Sequence, residues 1–197
     1  MQAGLTFNLA FPGYTVRSLA PADAPAIQRL YEQCLDYCLL VDGHPPSPGA
    51  ALEDFGSAPP GKALADKFLF GIVGPLGELA GLLDCVRGYP DETTWWIGLL
   101  LFAPEVRAHG LGSATVRGFL SHAQAHGAQA LMLGVVDENT RAYQFWTRQG
   151  FEPVRTTEPR QFGVKAHAVH VMRRALILPS AGSGPVLEPG NDLSQGL

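Results

Sequence analysis

A chain of 197 residues with 46% hydrophobic and 16% charged residues has the composition of a folded globular protein, which excludes a disordered or fibrous one. The length suits one domain, or one domain with tails, large enough to bury a core. A formal net charge of −4 argues against a general nucleic-acid binder, which would carry a basic face, so any anionic ligand must be held by local features.

Residues 14–19 alternate as a first strand, and Pro21 opens a helix whose apolar positions Ile27, Leu30, Tyr31, Cys34, Leu35 and Cys38 keep helical spacing. From 41 to 67 the pattern breaks into Pro-rich and Gly-rich turns around a short helical piece at 50–55, as in a binding loop or a spacer. Two short apolar runs, 68–73 and 79–86, flank Gly74-Pro75-Leu76-Gly77 and predict a hairpin. Residues 93–102 are apolar almost throughout and predict a central strand covered on both faces. A helix over 110–126, a strand over 130–136, a helix over 140–149 and two strands near 151–157 and 168–173 follow. This order predicts an α+β fold, a mixed sheet with helices on both faces, and not a doubly wound parallel sheet. Residues 1–13 read as an N-terminal extension, 14–178 as a single domain and 179–197, rich in Pro, Gly and Ser, as a flexible tail.

Cys34, Cys38 and Cys85 form neither a disulfide framework nor a zinc spacing and read as buried thiols. His122 and His126 share a helix face at ligand spacing, but no carboxylate lies between them, and they read as solvent-facing. His167 and His170, three apart on a strand, would point to opposite faces. The N-terminus lacks the basic region and apolar run of a signal peptide, and the longest apolar run, 95–103, is far short of a membrane span. The expectation is a soluble cytoplasmic protein with no membrane partner and no nucleic acid.

The most informative segment is Arg107-Ala108-His109-Gly110-Leu111-Gly112-Ser113, placed after a strand and before a helix. Gly110 and Gly112 let the backbone approach an anion, and the free N–H groups of the first helical turn face it. A Walker loop would need a Gly-Lys-Ser/Thr triplet, which does not occur, and a dinucleotide loop would need glycine where Thr115 stands. A second signature follows a strand later: Asn139, Ala142, Phe145-Trp146 and Gly150-Phe151. Together, in this order, the two motifs resemble the GNAT superfamily of acyl-CoA-dependent N-acyltransferases, over roughly residues 14–174.

The resemblance implies a mixed, mostly antiparallel central sheet and acetyl-CoA as cofactor. Its pyrophosphate would lie on the amides of His109, Gly110, Leu111, Gly112, Ser113 and Ala114 beside Arg107. Its pantetheine arm would add along Leu100, Leu101 and Phe102, lined by Asn139, Ala142 and Trp146. It implies N-acetyl transfer to a primary amine of a small molecule or peptide, with the acceptor against the first helix and an insertion at 41–67. Acids of that insertion, among them Asp42, Glu53, Asp54 and Asp66, would hold a cationic amine. A homodimer stays open.

Two departures weaken the catalytic assignment. The central strand carries no carboxylate, and the nearest are Glu92 before it and Asp84 on the preceding strand, either of which reads equally as a solvated group. The position four after Ala142, where the family places a proton-donating Tyr, holds Trp146, whose indole cannot serve. On a wheel of about 100° per residue Tyr143 falls on the same side and becomes the expected donor, against the plainer reading of a Tyr packed on the sheet. The alternative function is a catalytically decayed acyl-CoA-binding sensor or scaffold.

Overall fold

The computed structural model describes residues 6–176. Within them nine strands and five helices follow one another along the chain: β1 (Thr15–Ser18), α1 (Ala24–Gln33), α2 (Leu35–Val41), α3 (Ala50–Gly56), β2 (Lys67–Val73), β3 (Leu79–Arg87), β4 (Thr94–Phe102), α4 (Leu111–Ala125), β5 (Ala130–Val136), α5 (Thr140–Arg148), β6 (Glu152–Thr156), β7 (Arg160–Phe162), β8 (Lys165–His167) and β9 (Val169–Ala175). Seven strands form one sheet in the order β1-β2-β3-β4-β5-β9-β6, with β4 at its centre, and β7-β8 is a separate hairpin. Every pairing in the large sheet is antiparallel except β4 with β5. The α+β sheet with helices on both faces is thus as expected.

Two layers of packing hold the sheet. On one face Val116 and Phe119 of α4 pack with Phe70, Trp95, Leu131, Leu133 and Met172 in the main core. On the other, Ile27, Leu30 and Tyr31 of α1 meet Leu69, Leu82 and Leu101. The segment taken for an extension belongs to the main core as far as it is described: Phe7 is 6% exposed and its ring lies 5.3 Å from Phe70 and 5.8 Å from Phe119.

The helix expected from Pro21 to Cys38 is broken. Cys34 leaves helical geometry (φ −93°, ψ 36°), its thiol reaches the Phe102 carbonyl at 3.3 Å, and α2 begins after it at Leu35. His122 is not solvent-facing: it is 8% exposed among Phe7, Phe70, Trp95 and Phe119, and only His126 lies at the surface. His167 and His170 lie on two different strands, and His167 is buried with Nε2 3.0 Å from the Val41 carbonyl. The predicted tail at 179–197 lies outside the described residues.

One irregularity positions everything that follows. In the β3–β4 ladder Asp84 pairs with Leu99 and Cys85 with Ile97, which leaves Gly98 as an extra, bulged residue. The β4–β5 ladder runs from Thr94↔Ala130 to Ile97↔Leu133 and stops there. Beyond it the two parallel strands diverge, so the β5-facing edge of β4 from Gly98 to Phe102 has no strand partner among the described residues.

Candidate active site

The divergence of β4 and β5 opens a cleft of about 780 Å³ that runs from α5 across the strand ends to the loop before β2. Its α5 side is lined by Asn139, Ala142 and Trp146, and its strand side by Gly98, Leu99 and Leu100. Asn139 is the N-cap of α5: its side-chain oxygen accepts the Ala142 N–H at 3.0 Å, which fixes the helix start against the cleft. Trp146 is buried and packs edge-on against Phe145 and Phe151, so the second motif forms an aromatic wall.

At the start of α4 the chain turns through two left-handed residues, Ala108 (φ 65°) and Gly110 (φ 88°). An alanine held there costs roughly 1–2 kcal/mol, and such strain gathers at ligand-gripping loops. The Ala114 N–H closes the first helical turn on the Gly110 carbonyl at 3.0 Å. The N–H groups of Leu111, Gly112 and Ser113 are therefore the free donors, and Ala114 is not one. The Leu111 side chain is 1% exposed and belongs to the core, His109 is exposed, and the Ser113 hydroxyl accepts from Gln149 Nε2 at 3.0 Å.

Arg107 is occupied elsewhere. Its Nε donates to the Phe102 carbonyl at 2.7 Å and its Nη1 to Asp36 Oδ2 at 2.5 Å, so it ties the end of β4 to α2. Leu101 turns away from the cleft into the α1 core, whereas Phe102 is half-buried and its ring lies close to Gly112.

The three carboxyl and phenol candidates separate clearly. Glu92 is an exposed residue of the β3–β4 turn, at the far end of β4 from the divergence, and does not line the cleft. Tyr143 packs edge-on against His170, ring centroids 5.1 Å apart, and is not among the cleft-lining residues. The wheel put it near the right face, but the edge of α5 that meets the cleft is the one carrying Asn139, Ala142 and Trp146.

Asp84 does line the cleft. It projects beside the bulge, where a side chain on Gly98 would come within 3.2 Å of its Oδ2. Lys67 Nζ holds that same Oδ2 at 3.3 Å, and is itself fixed by the Asp54 carbonyl at 2.6 Å. The other oxygen, Oδ1, is buried without a hydrogen-bond partner among the described residues. Burial pushes the Asp84 carboxyl up to about 6, against the opposing pull of Lys67 and with a further push from Asp54. Asp54 in turn accepts the Tyr31 hydroxyl behind the cleft wall.

The insertion contributes Ser57, Ala58, Pro59 and Pro60 to the cleft, but its acids do not. Asp66 pairs with Lys62 and Arg87, and Asp42 and Glu53 are absent from the lining. The residues that sequence reasoning missed lie on the opposite rim. Trp96, Arg155, Arg160 and Phe162 line the cleft, the last two on a hairpin too short and polar to announce itself.

A sheet parted beside a glycine-started helix, with free amides on one side and a buried carboxylate on the other, suits transfer of an acyl group from an acyl-CoA. The Acetyltransferase (GNAT) family profile matches residues 25–151, and the chain belongs to that family. No curated protein matches it. Among solved structures, an acetyltransferase from Thermus thermophilus superposes with a TM-score of 0.65 at 24% identity, covering 87% of this chain and 98% of that one. The protein yncA from Salmonella typhimurium, solved with its cofactor acetyl-CoA, gives 0.62 at 16% identity, covering 86% and 97%. RimL, a ribosomal L7/L12 alpha-N-protein acetyltransferase, gives 0.72 at 14% identity, covering 87% and 94%. Acetyl-CoA is the cofactor of the family, and the unpartnered β4 edge and the free amides at the start of α4 fit it. Among the described residues no helix is long and apolar enough to cross a membrane.

Proposed function

We propose that the protein is an N-acetyltransferase that moves an acetyl group directly from acetyl-CoA to a primary amine, with Asp84 as the general base. The observation that carries this reading is the Asp84 carboxyl, raised to about 6, with an unpartnered Oδ1 at the point where β4 and β5 part. A base of that strength is ionised at neutral pH and is poised to take a proton. The amides of Leu111, Gly112 and Ser113 would hold the pyrophosphate, and Asn139, Ala142 and Trp146 would flank the pantetheine arm. Acetyl-CoA would supply a thioester whose carbonyl the amine attacks, the C–N bond forming as the C–S bond breaks.

Asp84 Oδ1 receives a proton from the acceptor ammonium, directly or through one water, and leaves the amine nucleophilic. Lys67 keeps Oδ2 in place, so Oδ1, which has no hydrogen-bond partner among the described residues, is the proton-accepting oxygen. An alkyl thiol is acidic enough to leave as its anion and take a proton from water afterwards, so a side-chain acid is dispensable. This agrees with Trp146 standing at the usual acid position and Tyr143 packing on His170.

The test is turnover of acetyl-CoA against a panel of amines, with cofactor binding measured in parallel. Transfer to at least one amine, reduced about 10²- to 10⁴-fold in Asp84→Asn, is the expected result. Binding without turnover on every amine would instead favour the decayed acyl-CoA sensor, the reading that Trp146 keeps open.

A further inference from the structure

Away from Asp84 the cleft is basic. Strand alternation places the charged part of its floor on one face of the sheet. Asp84 and Val86 point the same way along β3, Val86 pairs with Trp96, Trp96 with Met132, Gly134 with Val171, and Val171 with Arg155. Arg155 therefore rises on the side of Asp84, the face covered by α1 and α2. The β7–β8 hairpin brings Arg160 to the same cleft, its guanidinium 4.8 Å from the centre of the Phe162 ring.

Neither arginine meets a carboxylate among the described residues. With Lys67 and Asp84 neutralising each other, the lining keeps two cationic charges on a chain whose formal net charge is −4. Such a local excess inside a concave, partly apolar site concentrates anions there. The cofactor's phosphates do not account for it. Their loop starts α4, which packs on the opposite face, against Leu131, Leu133 and Met172.

We propose that the acceptor is an elongated anionic amine: its amino group sits at Asp84 and a carboxylate-type anion is held by Arg155 and Arg160. This rests on the acetyltransferase reading of the cleft and adds the chemical class of its substrate. It also reverses the expectation of a cationic pocket occupant held by acids of the insertion. Asp84 and Arg155 stand four strands apart, at least about 19 Å at ~4.8 Å per strand, and the reach of the arginine side chain shortens the gap between charges to on the order of 10 Å. That is roughly the span of three extended residues. The acceptor therefore spaces its two ends widely, with an apolar middle over Trp96 and Phe162. An ω-amino acid and the acidic end of a short peptide share this chemistry.

The experiment compares five probes on the full chain: a straight ω-amino acid of about 10 Å, its primary amide, the diamine of equal length, an acidic tripeptide and its neutral amide counterpart. Each is measured for kcat/KM and, separately, for calorimetric binding to the CoA-loaded protein, so a failure of catalysis does not hide the answer. The carboxylate probes are expected to exceed their amides by about tenfold or more, as charge-assisted hydrogen bonds do, and the diamine to be poorest. In the Arg155→Gln/Arg160→Gln double variant that preference disappears while the affinity for acetyl-CoA stays unchanged, and Arg160→Lys in the Arg155→Gln background restores part of it. Which carboxylate probe wins names the source. Carboxylates binding no better than their amides, or a preference that survives in the double variant, overturns the proposal.

Discussion

At the residue scale the catalytic reading turns on Asp84, whose raised carboxyl gives it a pH signature. Protonation below about pH 6 removes the base, so kcat/KM should fall tenfold per unit toward acid, with an apparent midpoint near 6. The same group acts on stability with the opposite sense. Its folded pKa lies above the unfolded value of about 3.9, so the folded state binds the proton more tightly and this group's contribution improves as pH falls from about 6. In Asp84→Asn both dependences should vanish together. An acid limb that persists in the variant would assign it to another group. Gly112→Asp tests the cofactor loop. A Cβ there would sit 3.4 Å from Phe102 and 3.5 Å from Phe145, close but tolerable, and a carboxylate in the first turn suits the helix dipole. The variant should fold normally and yet lose at least about tenfold in acetyl-CoA affinity, about 1.4 kcal/mol, read by calorimetry. Unchanged affinity would remove these amides from the site.

At the element scale, most strands and helices were legible because their periodicity is long and clean. The strand that the sequence predicts over 130–136 is the one the structure contains, and α4 and α5 differ from the predicted helices by a residue or two. Three features were not legible, each for a physical reason. The break at Cys34 carries no Pro or Gly, since a tertiary contact to Phe102 makes it. The β7–β8 hairpin has three-residue strands, too short for alternation to register. The strand divergence depends on where β5 stops pairing, and Gly98 hinted only at a bulge. The same limit misplaced His122. Its spacing from His126 was plain, but only the packed sheet decides which of the two is swallowed. Burial among aromatic rings, with His126 adding repulsion, lowers the His122 pKa to about 4. A histidine depressed in the folded state contributes stability fully above its unfolded pKa of about 6.5 and loses it as pH falls toward 4. Urea midpoints of the wild type should therefore drop more steeply between pH 6.5 and 4 than those of His122→Phe. The difference between the two proteins isolates this effect from the opposing one at Asp84, and parallel curves would show that His122 has the same pKa in the folded and unfolded chain.

At the scale of the whole molecule, the N-terminal segment decides where the domain begins. Phe7, Leu9 and Phe11 alternate in the sequence, a period-two signal that a boundary placed at residue 14 overlooked. The segment lies along α4, and Gly118 marks the crossing. An added Cβ there would stand 2.3 Å from the Asn8 carbonyl oxygen and 3.0 Å from the Phe7 ring. In an ordinary exposed helix Gly→Ala stabilises by about 1 kcal/mol. Here the sign should invert, because the methyl group meets backbone that cannot move without lifting Phe7 from the core. Gly118→Ala is expected to cost about 1–3 kcal/mol, as overpacking does, and Phe7→Ala about 3–5 kcal/mol, as loss of a buried phenyl does. Since both act by undocking one segment, their effects should not add: the double variant should cost little more than Phe7→Ala alone. Denaturant titrations of the four proteins measure this directly. Additive losses, or a Gly118→Ala protein more stable than wild type, would mean that the segment is not packed on α4 in solution, and the domain would then begin at β1.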